Sequence, residues 1–208
     1  MADSPAAQLD LDAEGVRDLL RSERPDLADL SLHRVAEGWD NAIWRLGADL
    51  AVRVPRRKLA APLIRHEQVA LPVLGPRLAA VGLRTPIPIH DGRATRAFPW
   101  PWSVVPWIDG ETALCTDRGH AGRWASDLAR ALLAVHHPAP PDAPANPFRG
   151  VPLLVRDESV RTRLKDPTII DTQVGSRLGE IWSAGIRARP SDERVWIHGD
   201  LHPGNILL

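Results

Sequence analysis

The segment 195–208, VWIHGDLHPGNILL, constrains the chain more than any other. Val195, Trp196 and Ile197 read as a short buried strand, and Ile206, Leu207 and Leu208 as a second apolar run. Between them lie His198, Gly199, Asp200, Leu201, His202, Pro203, Gly204 and Asn205. Gly199 and Gly204 permit a tight backbone path, and Pro203 stiffens it. The sequence stops three residues after Asn205, an unusual place for so polar a loop.

The rest of the chain has the composition of a globular protein. Of 208 residues, 44% are hydrophobic and 25% are charged. Basic and acidic residues balance at 26 each, so overall charge gives no argument for nucleic acid as a partner. No apolar run approaches the ~18 residues of a membrane helix, and no membrane association is expected. Asp3, Asp10, Asp12, Glu14 and Asp18 occupy the stretch where a secretory signal would be basic and then apolar. The one cysteine, Cys115, excludes an intrachain disulfide and a cysteine-rich metal site, and a cytoplasmic location is expected. Proline numbers 20, so breaks in regular structure should be many.

Periodicity divides the chain near 107–112, with strands before and helices after. Residues 12–22 predict a helix with Val16, Leu19 and Leu20 on one side. Strands are expected at 31–36, 42–46 and 50–54, joined by turns at 38–41 (GWDN) and 47–49. Pro55 ends the third strand, and Arg56, Arg57 and Lys58 read as a solvated basic edge. Residues 59–82 have helical spacing that Pro72 and Pro76 should break into pieces. Further short strands are expected at 87–90 and 103–105. Helices are expected at 120–137, 158–165 and 171–188, with a proline-rich loop over 137–147. The fold class is α+β.

An aspartate and an asparagine five residues apart, in a loop between apolar strands, suit one kind of chemistry. The carboxylate can orient a hydroxyl and accept its proton. The amide oxygen can hold a divalent ion bound to nucleotide phosphates. The octapeptide HGDLHPGN resembles the catalytic loop of the aminoglycoside phosphotransferases and their choline-kinase-like relatives, which share the protein-kinase-like fold. Upstream segments resemble the same family in the same order. EGWDN (37–41) is similar to its nucleotide-loop turn, AVRVPRR to its third strand, RHEQVALPVL to its glutamate-bearing helix, and PWPWSVVPWIDGE to its last N-lobe strand and hinge.

The resemblance implies a two-lobed protein-kinase-like α+β fold. Residues 1–108 would be an N-lobe built on an antiparallel sheet, and 109–208 an incomplete, mostly helical C-lobe. It implies transfer of the γ-phosphoryl of ATP or GTP, with Mg²⁺, to a hydroxyl of a small molecule, aminoglycoside-like or other. By position, Asp200 would be the catalytic aspartate and Asn205 the magnesium ligand. Gly38, Trp39, Asp40 and Asn41 would form the turn over the phosphates. Arg53 stands where the family usually carries a phosphate-contacting lysine, and Glu67 would pair with it. Pro106, Trp107 and Ile108 would line the adenine slot and offer backbone hydrogen bonds. His198 would brace the loop.

The chain departs from the family pattern at two points. Arg53 keeps the charge of lysine with a different geometry, one that can contact phosphate bidentately. The family's second magnesium ligand and its substrate-binding helices follow the catalytic loop, so the chain resembles the first two-thirds of such an enzyme. The alternative expectation is a non-catalytic, pseudokinase-like nucleotide-binding protein or an inactive fragment. Taken without the resemblance, Glu67 is also a solvated helix charge and Arg53 a strand residue facing water. Residues 38–41 are also an ordinary hairpin turn with Trp39 as packing. A zinc site at His198 and His202 lacks a third ligand at suitable spacing.

Overall fold

The computed structural model describes residues 6–115, 121–146, 149–189 and 193–208. Five strands form one antiparallel sheet: β1 (Leu32–Glu37), β2 (Asn41–Leu46), β3 (Leu50–Pro55), β4 (His90–Gly92) and β5 (Trp102–Pro106). Their order is β1-β2-β3-β5-β4. Strand alternation divides the side chains between two faces. Val52, Val54, Trp102 and Val104 share one core with Val16, Leu19 and Leu20 of helix α1 (Ala13–Glu23). Asp12 starts that helix, its carboxylate accepting from the Gly15 N–H at 2.8 Å. Arg53 and its cross-strand partner Ser103 lie on the opposite face, toward helix α2 (Ala61–Ala80).

Helix α2 corrects an expectation. Pro72 and Pro76 both lie inside it and do not divide it. Each proline removes one main-chain donor, leaving the carbonyls four residues earlier without their helical partners. Burial outweighs that loss, because Ile64, Gln68, Leu74, Gly75 and Leu78 are all inside. The Gln68 amide, which the sequence did not single out, donates to the Trp102 carbonyl at 2.9 Å and to Ser103 Oγ at 3.0 Å. It fastens the helix to the sheet one residue beyond Glu67.

Two strand expectations shift. The strand placed at 87–90 forms at His90–Gly92, because Pro86 and Pro88 upstream lack donors for a ladder. Residues 195–197 form a single bridge, Pro138 to Val195, rather than a buried strand. Only Trp196 is buried there (8% exposed), while Val195 and Ile197 are 40% and 41% exposed. Pro138 in the facing segment has no N–H, so the ladder cannot lengthen.

The second lobe is mostly helical: α3 (Ala121–Val135), α4 (Asp157–Leu164) and α5 (Thr172–Arg187). Ala134 and Val135 of α3 pack with Leu74 and Leu78 of α2 and with Trp196. The arrangement is the two-lobed, protein-kinase-like α+β fold expected from the sequence, with the antiparallel sheet first and the helices after it.

Gly92 sits opposite Trp102, the fully buried centre of the sheet core. A Cβ at Gly92 would fall 2.0 Å from the Trp102 indole. Gly92→Ala should therefore destabilise the fold by about 1–3 kcal/mol, as overpacking does. Denaturant unfolding of the two proteins measures the difference.

Candidate active site

The loop 198–205 is held at both ends by backbone hydrogen bonds. Upstream, the Trp196 N–H donates to the His137 carbonyl at 2.9 Å, and the Ala139 N–H to the Arg194 carbonyl at 2.8 Å. Downstream, the Ala113 N–H donates to Ile206 and the Leu208 N–H to Glu111, both at 2.9 Å, around a bridge between Thr112 and Leu207. The second apolar run is thus paired at its backbone, while Leu207 and Leu208 stay 47% and 46% exposed. Within the loop, Gly199 adopts φ +81°, a conformation open to glycine and costly for other residues.

The loop brings Asp200 and Asn205 together. Asn205 Nδ2 donates to the Asp200 carbonyl at 2.8 Å and to Asp200 Oδ2 at 3.2 Å. This turns the Asn205 amide oxygen away from the carboxylate. Arg149 Nη2 bonds Asp200 Oδ1 at 2.8 Å, and His202 Nε2 stands 3.8 Å from Oδ2. The Arg149 hydrogen bond holds the Asp200 carboxyl below its usual pKa, helped by the charges of Arg149 and His202. Arg149 lies 51 residues upstream of Asp200, and no local sequence signal marks it.

His198 acts as a brace, its Nδ1 accepting from the Asp200 N–H at 3.3 Å. Burial pushes its pKa down, while the charges of Asp200 and Glu67 oppose that shift. The Glu67 carboxylate is therefore within electrostatic reach of the loop. In the sheet lobe, Arg53 and Glu67 form a bidentate pair, Nη1 to Oε2 at 2.6 Å and Nη2 to Oε1 at 3.2 Å. Neither is merely a solvated charge.

The turn 38–41 closes through the Gly38 N–H and the Asn41 carbonyl at 2.9 Å. Trp39 is 56% exposed at its tip and does not pack into the core. The basic cluster corrects a second expectation: Arg56 is only 6% exposed. Register places it under the turn, where its N–H donates to the Asp40 carbonyl at 2.8 Å and its Nη1 to the Gly38 carbonyl at 3.0 Å. Arg57 pairs with the Asp40 carboxylate. These arginines fix the turn rather than decorate an edge.

Pro106 ends β5, and Trp107 and Ile108 lead from it into the segment that pairs with 206–208. Pro106 has no N–H, and that of Trp107 is bonded to the Asp49 carbonyl at 2.7 Å. Ile108 is the remaining main-chain donor of the three. The Trp107 indole lies under Arg45, 4.2 Å from guanidinium carbon to ring centre, and donates to Asp109 Oδ1 at 2.6 Å.

A sequence model of the phosphotransferase enzyme family matches residues 31–208. The chain belongs to this family. No curated protein matches it. Among solved structures, the GDP complex of wild-type aminoglycoside 2'-phosphotransferase-IIIa is similar at 18% identity and a TM-score of 0.66, over 95% of this chain and 67% of that one. A macrolide 2'-phosphotransferase from Brachybacterium faecium gives 19% and 0.56, over 95% and 68%. A thermostable mutant aminoglycoside phosphotransferase, in complex with AMP-PNP and hygromycin B, gives 14% and 0.54, over 93% and 66%. The family member described here spans about two thirds of the length of these chains.

Burial dominates the His198 shift, so its imidazole should titrate below the ordinary histidine range and stay neutral at pH 7. Asp200→Asn removes an opposing charge and should lower the midpoint further. NMR titration of the imidazole resonances checks both directions.

Proposed function

We propose that this chain binds ATP or GTP with Mg²⁺ between the sheet and the loop 198–205. It then passes the γ-phosphoryl to a hydroxyl of a small molecule. The observation that carries the reading is the Asp200–Asn205 unit, a carboxylate and an amide locked to each other in a loop tethered at both ends. The dividing line falls at Ile108, with 1–108 the nucleotide lobe and 109–208 the lobe that carries the loop.

Each residue has a task in this reading. Asp200 positions the acceptor hydroxyl and takes its proton. Gly38, Trp39, Asp40 and Asn41 cover the phosphates, held from below by Arg56 and Arg57. Arg53, steadied by Glu67, presents a cation to the phosphates. Pro106 and Trp107 wall the base slot, and Ile108 supplies its main-chain donor.

The residues fit magnesium. Mg²⁺ favours hard oxygen ligands and usually takes only one or two from protein beside phosphates and water. Asn205 offers an amide oxygen turned outward, because its Nδ2 is the atom bonded to Asp200. When bound, the ion neutralises charge developing on the phosphate oxygens.

Asp200→Asn should lower transfer by about 10²–10⁴-fold while leaving nucleotide affinity close to wild type. Coupled measurement of nucleoside triphosphate consumption and equilibrium titration of the nucleotide separate the two. Retained turnover removes Asp200 from its assigned role, and binding without transfer in the wild type favours a nucleotide-binding protein. The pH profile has a defined sign. A depressed carboxyl pKa keeps Asp200 ionised to lower pH, so activity is lost only as pH falls through that depressed value. Arg149→Ala removes the main cause, and the acidic limb should move to higher pH.

A further inference from the structure

Arg149 is built into the site from an element that the nucleotide reading does not use. Its backbone packs directly on the loop. Gly150 adopts φ +67°, and a Cβ there would lie 3.0 Å from Ile197 Cδ1. Gly199 adopts φ +81°, and a Cβ there would lie 3.5 Å from Arg149 Cβ. Two glycines therefore let the segments come close enough for the guanidinium to reach Asp200. The Arg149 N–H is also anchored, donating to Asn146 Oδ1 at 3.1 Å.

We propose that Arg149 determines the charge class of the acceptor: the site takes a hydroxyl flanked by neutral or anionic oxygen groups and excludes one flanked by ammonium groups. The proposal rests on the reading of Asp200 given above. Among the described residues, Arg149 is the cation bonded to Asp200, His202 stands 3.8 Å away and is charged only when protonated, and no second carboxylate joins them. Arg149 offsets the carboxylate charge on the side of Asp200 that it covers. An ammonium beside the reacting hydroxyl would meet the guanidinium as a like charge. A guanidinium carries five N–H donors, and the bond to Asp200 uses one of them. The others suit hydroxyl, carboxylate or phosphate oxygens.

Kanamycin, a polycationic hydroxyl compound, is the probe. Its affinity is measured by calorimetry at low ionic strength, where surface charge is least screened. Arg149→Ala should bind it about tenfold or more tightly than wild type, the scale of removing one nearby like charge. Arg149→Lys should bind it as weakly as wild type, because the charge is kept. The double variant Arg149→Ala with Asp200→Asn should lose the tightening, since the uncovered carboxylate is its source. No tightening in Arg149→Ala, or tightening that survives in the double variant, overturns the proposal. ATP titration of the same samples reports separately on the phosphotransferase reading. Absent nucleotide affinity sinks that reading and leaves the kanamycin comparison to decide the role of Arg149.

Discussion

The site depends on main-chain hydrogen bonds that grip the loop 198–205 from both sides. Residues 194–196 are tied to 137–139, and 206–208 to 111–113. Both partners are remote in sequence, so the loop is fixed to the body of the second lobe rather than to itself. The downstream tether also joins the loop to the hinge. Gly110 lies so close to the Leu208 carbonyl that a Cβ would stand 3.0 Å from it. A loop held in this way keeps Asp200 and Asn205 in register without further ordering, and pre-set geometry of this kind is what positioning chemistry requires.

The sheet lobe is organised by a comparable chain of contacts. The Gln8 and Leu9 N–H groups donate to the Arg56 carbonyl at 2.9 and 3.2 Å, and the Lys58 N–H donates to Gln8 Oε1 at 2.7 Å. Arg34 grips Asp10 bidentately. The segment before α1 is thereby strapped across the end of β3, directly behind the arginines that hold the 38–41 turn. On the other face, Gln68 and the Arg53–Glu67 pair link α2 to the sheet. Arg53, one of the ladder residues of β3, is thus connected through Glu67 to the electrostatic surroundings of His198.

Much of this was legible in the amino-acid order, and the limits of legibility have physical causes. Alternation in β2 and the apolar stripe of α1 report local periodicity, and both elements formed within a residue or two of expectation. Asp200, Asn205, Arg53 and Glu67 were singled out from segment identity, and the structure brings each pair into contact. The continuity of α2 through two prolines was not legible, because burial against the second lobe offsets the lost helical bonds. Arg56 looked like a surface charge because its burial comes from register with the turn, not from its neighbours in sequence. Arg149 lies in a proline-rich region and acts across 51 residues, a distance at which spacing carries no information.

The central claim is that the 38–41 turn and the 198–205 loop serve one ligand. Hydrogen exchange with and without magnesium and ATP tests it directly, because backbone amides in both segments report ordering at their own positions. The account predicts slower exchange in both segments together when Mg²⁺ and ATP are present. Protection confined to one segment, or none in either, would contradict it.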